Sequence, residues 1–182
     1  MSALHVQRGR FRPRSGSHRA AEAGFTCLHC RGNVVADPAF SAVQHRNHCP
    51  YCLWSRHLDW LAAGDRLSAC KAGMRPIGLA FKLSLRRYGV GRGELMLVHL
   101  CVECGHGSIN RIAADDDPET ILGIFEASLE LECDTRARLA GQGVALLGEA
   151  DRDAVRCQLF GRQGGLETIP GEGLHLCGST ER

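Results

Sequence analysis

Large aromatic side chains are scarce, Phe, Tyr and Trp making up only 5% of the 182 residues. Such rings usually dominate core burial, so part of this chain needs another means of holding together. Long apolar runs are also missing. The longest candidate, Leu95 to Val102, is short and interrupted by His99, far below the ~18 consecutive apolar residues of a membrane-spanning helix. Residues Met1 to Ala20 contain no apolar stretch of the kind a secretory leader carries. No repeat recurs at the periods of solenoid proteins. The glycines from Gly89 to Gly93 have neither the spacing nor the following Lys-Ser/Thr of a phosphate-binding loop. A nucleobase deaminase is disfavoured as well, because no His-x-Glu precedes a Pro-Cys-x-x-Cys and the proline follows Cys49 instead.

Cysteine is what the chain has in quantity, with ten residues. Without a leader the expected compartment is the reducing cytoplasm, where paired cysteines more often bind a metal than bridge one another. Three Cys-x-x-Cys pairs stand out: Cys27/Cys30, Cys49/Cys52 and Cys101/Cys104. A two-residue spacer lets both thiolates point at one ion while backbone amides of the turn balance their charge, and Gly32 and Gly105 are expected to relax the backbone after two of the pairs. The separation of the first two pairs falls within the spacing of a four-cysteine zinc site. The third pair needs two further ligands. Cys70 and a histidine are the candidates, with His57 preferred over His99 and His106. A crossed arrangement uses the same eight residues, joining Cys27 and Cys30 to Cys101 and Cys104 and leaving Cys49, Cys52, His57 and Cys70 as the other site. Two zinc ions are expected, although thiolates also accept iron. Sites filled by four protein ligands are structural, since zinc catalysis needs an open position. Cys133, Cys157 and Cys177 have no partner at ligand spacing and read as ordinary thiols.

Charge divides the chain into three parts. Residues 1–20 carry five arginines and no acid, residues 21–113 eleven basic and six acidic side chains, and residues 114–182 six basic and fourteen acidic ones. The first part, with Arg8, Arg10, Arg12, Arg14 and Arg19 among Gly, Ser and Pro, has too little apolar surface to fold alone and reads as a disordered basic arm. Its arginines suit phosphates; a solubilising tail is the plainer alternative. In the second part Leu79, Phe81, Leu83 and Leu85 alternate as in a half-buried strand, and Glu94 to Val102 forms a second. With the glycine loop Tyr88 to Gly93 between them, the two predict a hairpin. In the third part Asp117 is placed to cap a helix with Pro118 and Glu119 in its first turn. Ile121, Leu122, Phe125 and Leu129 line one face of it, and Gly141 and Gly143 would end it. A further short helix is expected near Asp151 to Leu159, followed by a Gly-rich tail.

The segment Arg46-Asn47-His48-Cys49-Pro50 carries a resemblance to the RNHCP domain family, small bacterial proteins named from that pentapeptide. The match continues through Phe25-Thr26-Cys27, Cys52-Leu53, Ser55, His57, Gly64-Asp65-Arg66, Cys70, Met74, Pro76-Ile77, Cys101, Cys104-Gly105, Asn110-Arg111 and Asp115-Asp116. It spans residues 25–116. The resemblance implies a zinc-ribbon-like domain and brings no settled activity; with the hairpin and helix readings the expected fold is small α+β, β-hairpins with cysteine knuckles followed by an acidic, helical and Gly-rich extension over residues 117–182 that lies outside the match.

The expected function is a zinc-stapled, non-catalytic module contacting nucleic acid or a ribonucleoprotein. Arg8, Arg10, Arg12, Arg14, Arg46, Arg66 and Arg111 are the candidate phosphate contacts, with Asn47 and Asn110 reading bases or holding turns. The alternative is a hydrolase of the small-nuclease type. It would use His45, His48 or His57 as general base, with Asp115 or Asp116 holding a divalent ion. For the run Asp115 to Asp117, helix capping is the simpler explanation.

Overall fold

A computed structural model of the chain describes residues 24–62, 64–82 and 93–161. The arginine arm, nearly all of the glycine loop and the Gly-rich tail lie outside the described residues.

The alternating segment forms part of strand β4 (Gly73–Lys82), antiparallel to β5 (Glu94–Cys101), with Leu79 opposite Leu97 and Lys82 opposite Glu94. Leu83 and Leu85 fall outside the described residues. A two-residue strand β3 (Ser55–Arg56) flanks β4, and β6 (Gly107–Arg111) flanks β5, giving the order β3-β4-β5-β6. Nearer the N-terminus, β1 (Phe25–Thr26) and β2 (Asn33–Val34) pair as a separate short hairpin. The one-turn helix α1 (Pro38–Ser41) follows, its first turn capped by the Asp37 carboxylate accepting from the Ala39 N–H at 2.8 Å.

The central strands differ from the half-buried expectation. Ile77 to Ala80 and Leu95 to Cys101 are buried without interruption. Successive strand side chains point to opposite faces, so such runs mean that both faces are covered. One apolar cluster joins Leu53, Leu79, Leu95 and Leu97 to Ile121, Phe125, Leu147 and Val155. A second joins Ile77, Ala80, Val98 and Leu100 to Leu139, with Leu131 and Leu146 packed against it.

The covering helices come from the acidic segment. Helix α2 (Pro118–Leu129) begins as expected, with Asp117 accepting from the Thr120 N–H at 2.9 Å. It does not run on to Gly141. The chain breaks at Glu130 to Glu132 and restarts as α3 (Cys133–Gly141). The break lets Leu131 and Leu139 reach the second cluster while Ile121 and Phe125 stay in the first. Arg136 seals the junction, its guanidinium donating to the Ser128 carbonyl at 2.6 Å. A 3-10 turn (Glu149–Asp151) leads into α4 (Arg152–Phe160), whose Arg152 pairs with Glu126 of α2 and with Glu149. Residues 117–160 therefore share one core with the sheet, and the boundary expected at residue 116 is a turn within it.

Phe125 is fully shielded from solvent at the centre of the first cluster. Phe125→Ala is expected to cost about 3–5 kcal/mol, read as a lower urea midpoint. A loss under about 1 kcal/mol would mean that α2 is not part of the core.

Candidate metal centres

All three Cys-x-x-Cys pairs adopt one turn. The N–H of the first cysteine donates to the carbonyl five residues on, in Cys27 to Gly32, Cys49 to Trp54 and Cys101 to His106, each at 2.9 Å. The N–H four residues on returns to that cysteine's carbonyl, from Arg31, Leu53 and Gly105. This closure places the residue after the second cysteine in the left-handed region, with φ of +63° at Arg31, +57° at Leu53 and +70° at Gly105. Of the two expected glycines, only Gly105 serves by its φ. Gly32 is needed for close approach, since a Cβ there would lie 2.9 Å from the Tyr51 ring.

The turns assemble two four-donor groups, Cys27/Cys30/Cys49/Cys52 and His57/Cys70/Cys101/Cys104, with the donor atoms of each within 4.8 Å of one another. This is the uncrossed arrangement. The first group lies between the β1-β2 hairpin and the turn that precedes β3. The second follows from strand register. Arg56 pairs with Gly73 and Met74 with Cys101, so the residue after β3, the loop before β4 and the end of β5 meet at one end of three adjacent strands.

The spacing fits a tetrahedral ion. Cys27 Sγ to Cys52 Sγ, Cys30 Sγ to Cys49 Sγ and Cys70 Sγ to Cys101 Sγ are each 3.6 Å, and Cys104 Sγ to His57 Nδ1 is 3.3 Å. Zinc–sulfur bonds of ~2.3 Å and zinc–nitrogen bonds of ~2.0 Å put the corresponding tetrahedral edges at about 3.8 and 3.5 Å. A disulfide would need about 2.05 Å. The electrostatics of the donors differ from one to the next. Burial pushes the Cys49, Cys52 and Cys104 thiols up, whereas the Gly32 N–H holds Cys30 down at about 7. At Cys101 burial is outweighed by hydrogen bonds from the Cys104 and Glu103 N–H groups, and its value falls. Burial, then the neighbouring His106, lowers His57 and keeps its ring neutral, the form that binds a metal. Clustered thiolates of this kind are stabilised together only by a soft or borderline metal ion. Each group could hold one; Cys133 and Cys157 are free and exposed.

The residues before the second cysteine turn are occupied inside the protein. Arg46 is buried: its Nη1 donates to both Asp115 oxygens at 2.7 Å, its Nη2 to Asp116 at 3.0 Å and its Nε to the His48 carbonyl at 3.1 Å. His48 Nε2 lies 2.8 Å from the other Asp116 oxygen, which also accepts from the Ala113 N–H at 2.7 Å. Neighbouring His99 is held neutral at about 4, chiefly by burial. Its Nε2 donates to the Leu53 carbonyl at 2.7 Å and its Nδ1 accepts from Asn110 at 2.9 Å. Arg46 is thus corrected from phosphate contact to buried anchor, whereas Asn110 is half-buried, bonded to His99, and lines a cleft together with Asn47. Of the three aspartates only Asp117 caps a helix. Of the residues in the enzyme reading, Asp115, Asp116 and His48 are bound to Arg46 or to each other and His57 belongs to a four-donor group, while His45 lines a cleft beside that group.

Arg66 and Arg111 are exposed, Arg66 3.9 Å from Asp59 and Arg111 paired with Glu94 at 3.0 Å. Arg8, Arg10, Arg12 and Arg14 lie outside the described residues. Sequence reasoning passed over Arg56 and Trp60 and weighed His106 only as a metal ligand; all three line a cleft beside the second group together with Asn47 and His57. The pairing of the scarce Trp60 with nearby histidines was the one available signal.

The fold and site define a small α+β protein with two cysteine-rich four-donor groups set on antiparallel hairpins. The RNHCP domain model matches residues 22–122, more than half of the chain, and the chain belongs to that family. No curated protein and no solved structure gives a match.

Removing Arg46 would strand Asp116 in the interior. Arg46→Ala is expected to cost about 3–5 kcal/mol, whereas Arg111→Ala, which breaks an exposed pair, should cost under about 1 kcal/mol. Equal losses in chemical denaturation would contradict the anchoring role.

Proposed function

We propose that the protein is a cytoplasmic, zinc-stapled module that contacts nucleic acid or a ribonucleoprotein without catalysing a reaction. The observation that carries the non-catalytic part is the completeness of the two donor groups. All eight donors lie in sets of four, which leaves no protein-defined open position for water or substrate. Free cysteines with Sγ···Sγ separations of 3.6 Å support a reducing compartment. The contact with nucleic acid is supported by charge: residues 1–113 hold sixteen basic and six acidic side chains, and the acidic residues concentrate beyond them. Arg8, Arg10, Arg12 and Arg14 are the proposed phosphate contacts, with Arg66 and Arg111 adding to them from the domain surface. The hydrolase alternative has less support, because both of its carboxylates are engaged by Arg46 and Asp116 is buried. Among the described residues no helix is long and apolar enough to cross a membrane.

Two measurements test this. The purified chain should contain about two zinc equivalents by elemental analysis, and Cys101→Ser should lower that content to about one. Binding of structural zinc contributes on the order of 10 kcal/mol to folding per site, so complete chelation should abolish the near-ultraviolet circular dichroism; a chain that stays folded without metal would refute the stapling. In the second, affinity for single-stranded RNA is followed against salt for the wild-type chain and a variant with Arg8, Arg10, Arg12 and Arg14 changed to Ala. Loss of four phosphate contacts should reduce the slope of log K against log[salt] by about 3. An unchanged slope would remove the arm from the interface.

A further inference from the structure

Beside the second donor group lies a cleft of about 580 Å³. Three of the residues on its walls carry a buried side-chain atom with no hydrogen-bond partner among the described residues: Asn47 Oδ1, Arg56 Nε and His57 Nε2. Buried polar atoms are nearly always paired, so three orphans on one cleft point to a group that arrives from outside. His57 gives the strongest indication. Its residue is 1% exposed, and its Nδ1 faces Cys104 within the donor group. A histidine that ligates through Nδ1 carries its proton on Nε2, so the cleft receives an N–H donor. Arg56 Nε adds a second donor, and the Asn47 amide can both accept and donate.

The neighbouring wall is aromatic. The His57 and His106 rings stack with centroids 4.9 Å apart and planes 2° from parallel, and the Trp60 ring lies 5.8 Å from His106 at 26°. Trp60 is 54% exposed, yet its backbone is tied down. The N–H groups of Trp60, Leu61, Ala62 and Leu67 all donate to the Asp65 carboxylate at 2.8 to 3.0 Å. Asp59 binds the same loop through the Gly64 and Arg66 N–H groups. An exposed ring on so constrained a loop loses little freedom when something stacks on it. Lys82 and Arg111 also line the cleft.

We propose that this cleft is a nucleobase site, the base stacking on Trp60 and His106 with its hydrogen-bonding edge turned toward Asn47, Arg56 and His57. A flat face, an edge of mixed donors and acceptors and nearby cations together match a nucleotide, and stacking on aromatic side chains is how unpaired bases are commonly held. The inference rests on the nucleic-acid reading above where the base belongs to a strand; a free nucleotide would present the same chemistry.

The test uses the full-length, metal-loaded chain and two full-length variants, Trp60→Ala and Asn47→Ala, each checked for metal content and melting temperature. Fluorescence anisotropy follows labelled ten-nucleotide homopolymers of each base, and calorimetry follows the four nucleoside monophosphates. Trp60→Ala is expected to weaken oligonucleotide binding at least tenfold without changing the salt slope, because a stack and not a phosphate contact is lost. Asn47→Ala is expected to change the order of preference among the four bases. Because Trp60 is exposed, its variant keeps the test open even if the Asn47 variant fails to fold. Wild-type binding to oligonucleotides that Trp60→Ala leaves within twofold would overturn the cleft and leave the nucleic-acid reading standing. Binding of mononucleotides alone, lost in Trp60→Ala, would keep the site and overturn that reading. Binding of neither probe by the wild type would overturn both.

Discussion

The ion pair between Arg46 and Asp116 is shielded from water on both sides, and much of the fold hangs from it. Two charges withdrawn from solvent lose several kcal/mol of hydration each, and their attraction offsets this only when the remaining donors and acceptors are also satisfied. Here they are. Arg46 uses Nε, Nη1 and Nη2 on three different acceptors, and Asp116 is completed by His48 and the Ala113 N–H. The network joins residues 46–48, which lead into the second cysteine turn, to residues 113–116, which lead into α2. Those segments are about seventy residues apart in sequence. Tied together, they attach the first donor group to the sheet and set the point at which Asp117 starts the helix.

The scarcity of aromatics follows from the same arrangement. Strands β1, β2 and β3 contribute two residues each, too few to define a register by backbone hydrogen bonds alone. Their positions are defined instead where cysteine turns and His57 converge on shared points. Apolar packing is needed chiefly at β4 and β5, and there aliphatic side chains fill both faces of the sheet with Phe125 as the fully buried ring. A chain that replaces part of its core with metal ligation can be built with few large side chains.

What could be read from the sequence was what is local. The cysteine turns are encoded within six residues, and their hydrogen bonds repeat identically in all three, so spacing alone located them. The hairpin of β4 and β5 and the start of α2 were legible for the same reason. The break between α2 and α3 was not, because it answers to two separate apolar clusters that Leu131 and Leu139 on one side and Phe125 on the other must reach. Arg46 was misread because its charge says nothing of its burial, which depends on carboxylates at the far end of the domain. The cleft was hidden on similar grounds, since an orphaned atom is defined by what fails to surround it.

His57 belongs to both the second donor group and the cleft, so one ring links the two. An ion held by Nδ1 would fix the tautomer and leave the proton on Nε2. Without an ion the neutral ring could place its single proton on either nitrogen, and Nε2 could present a lone pair instead. The His106 ring stacked on His57 belongs to the same wall. A metal held by four protein ligands would thereby influence the polarity of a binding surface without itself offering an open position.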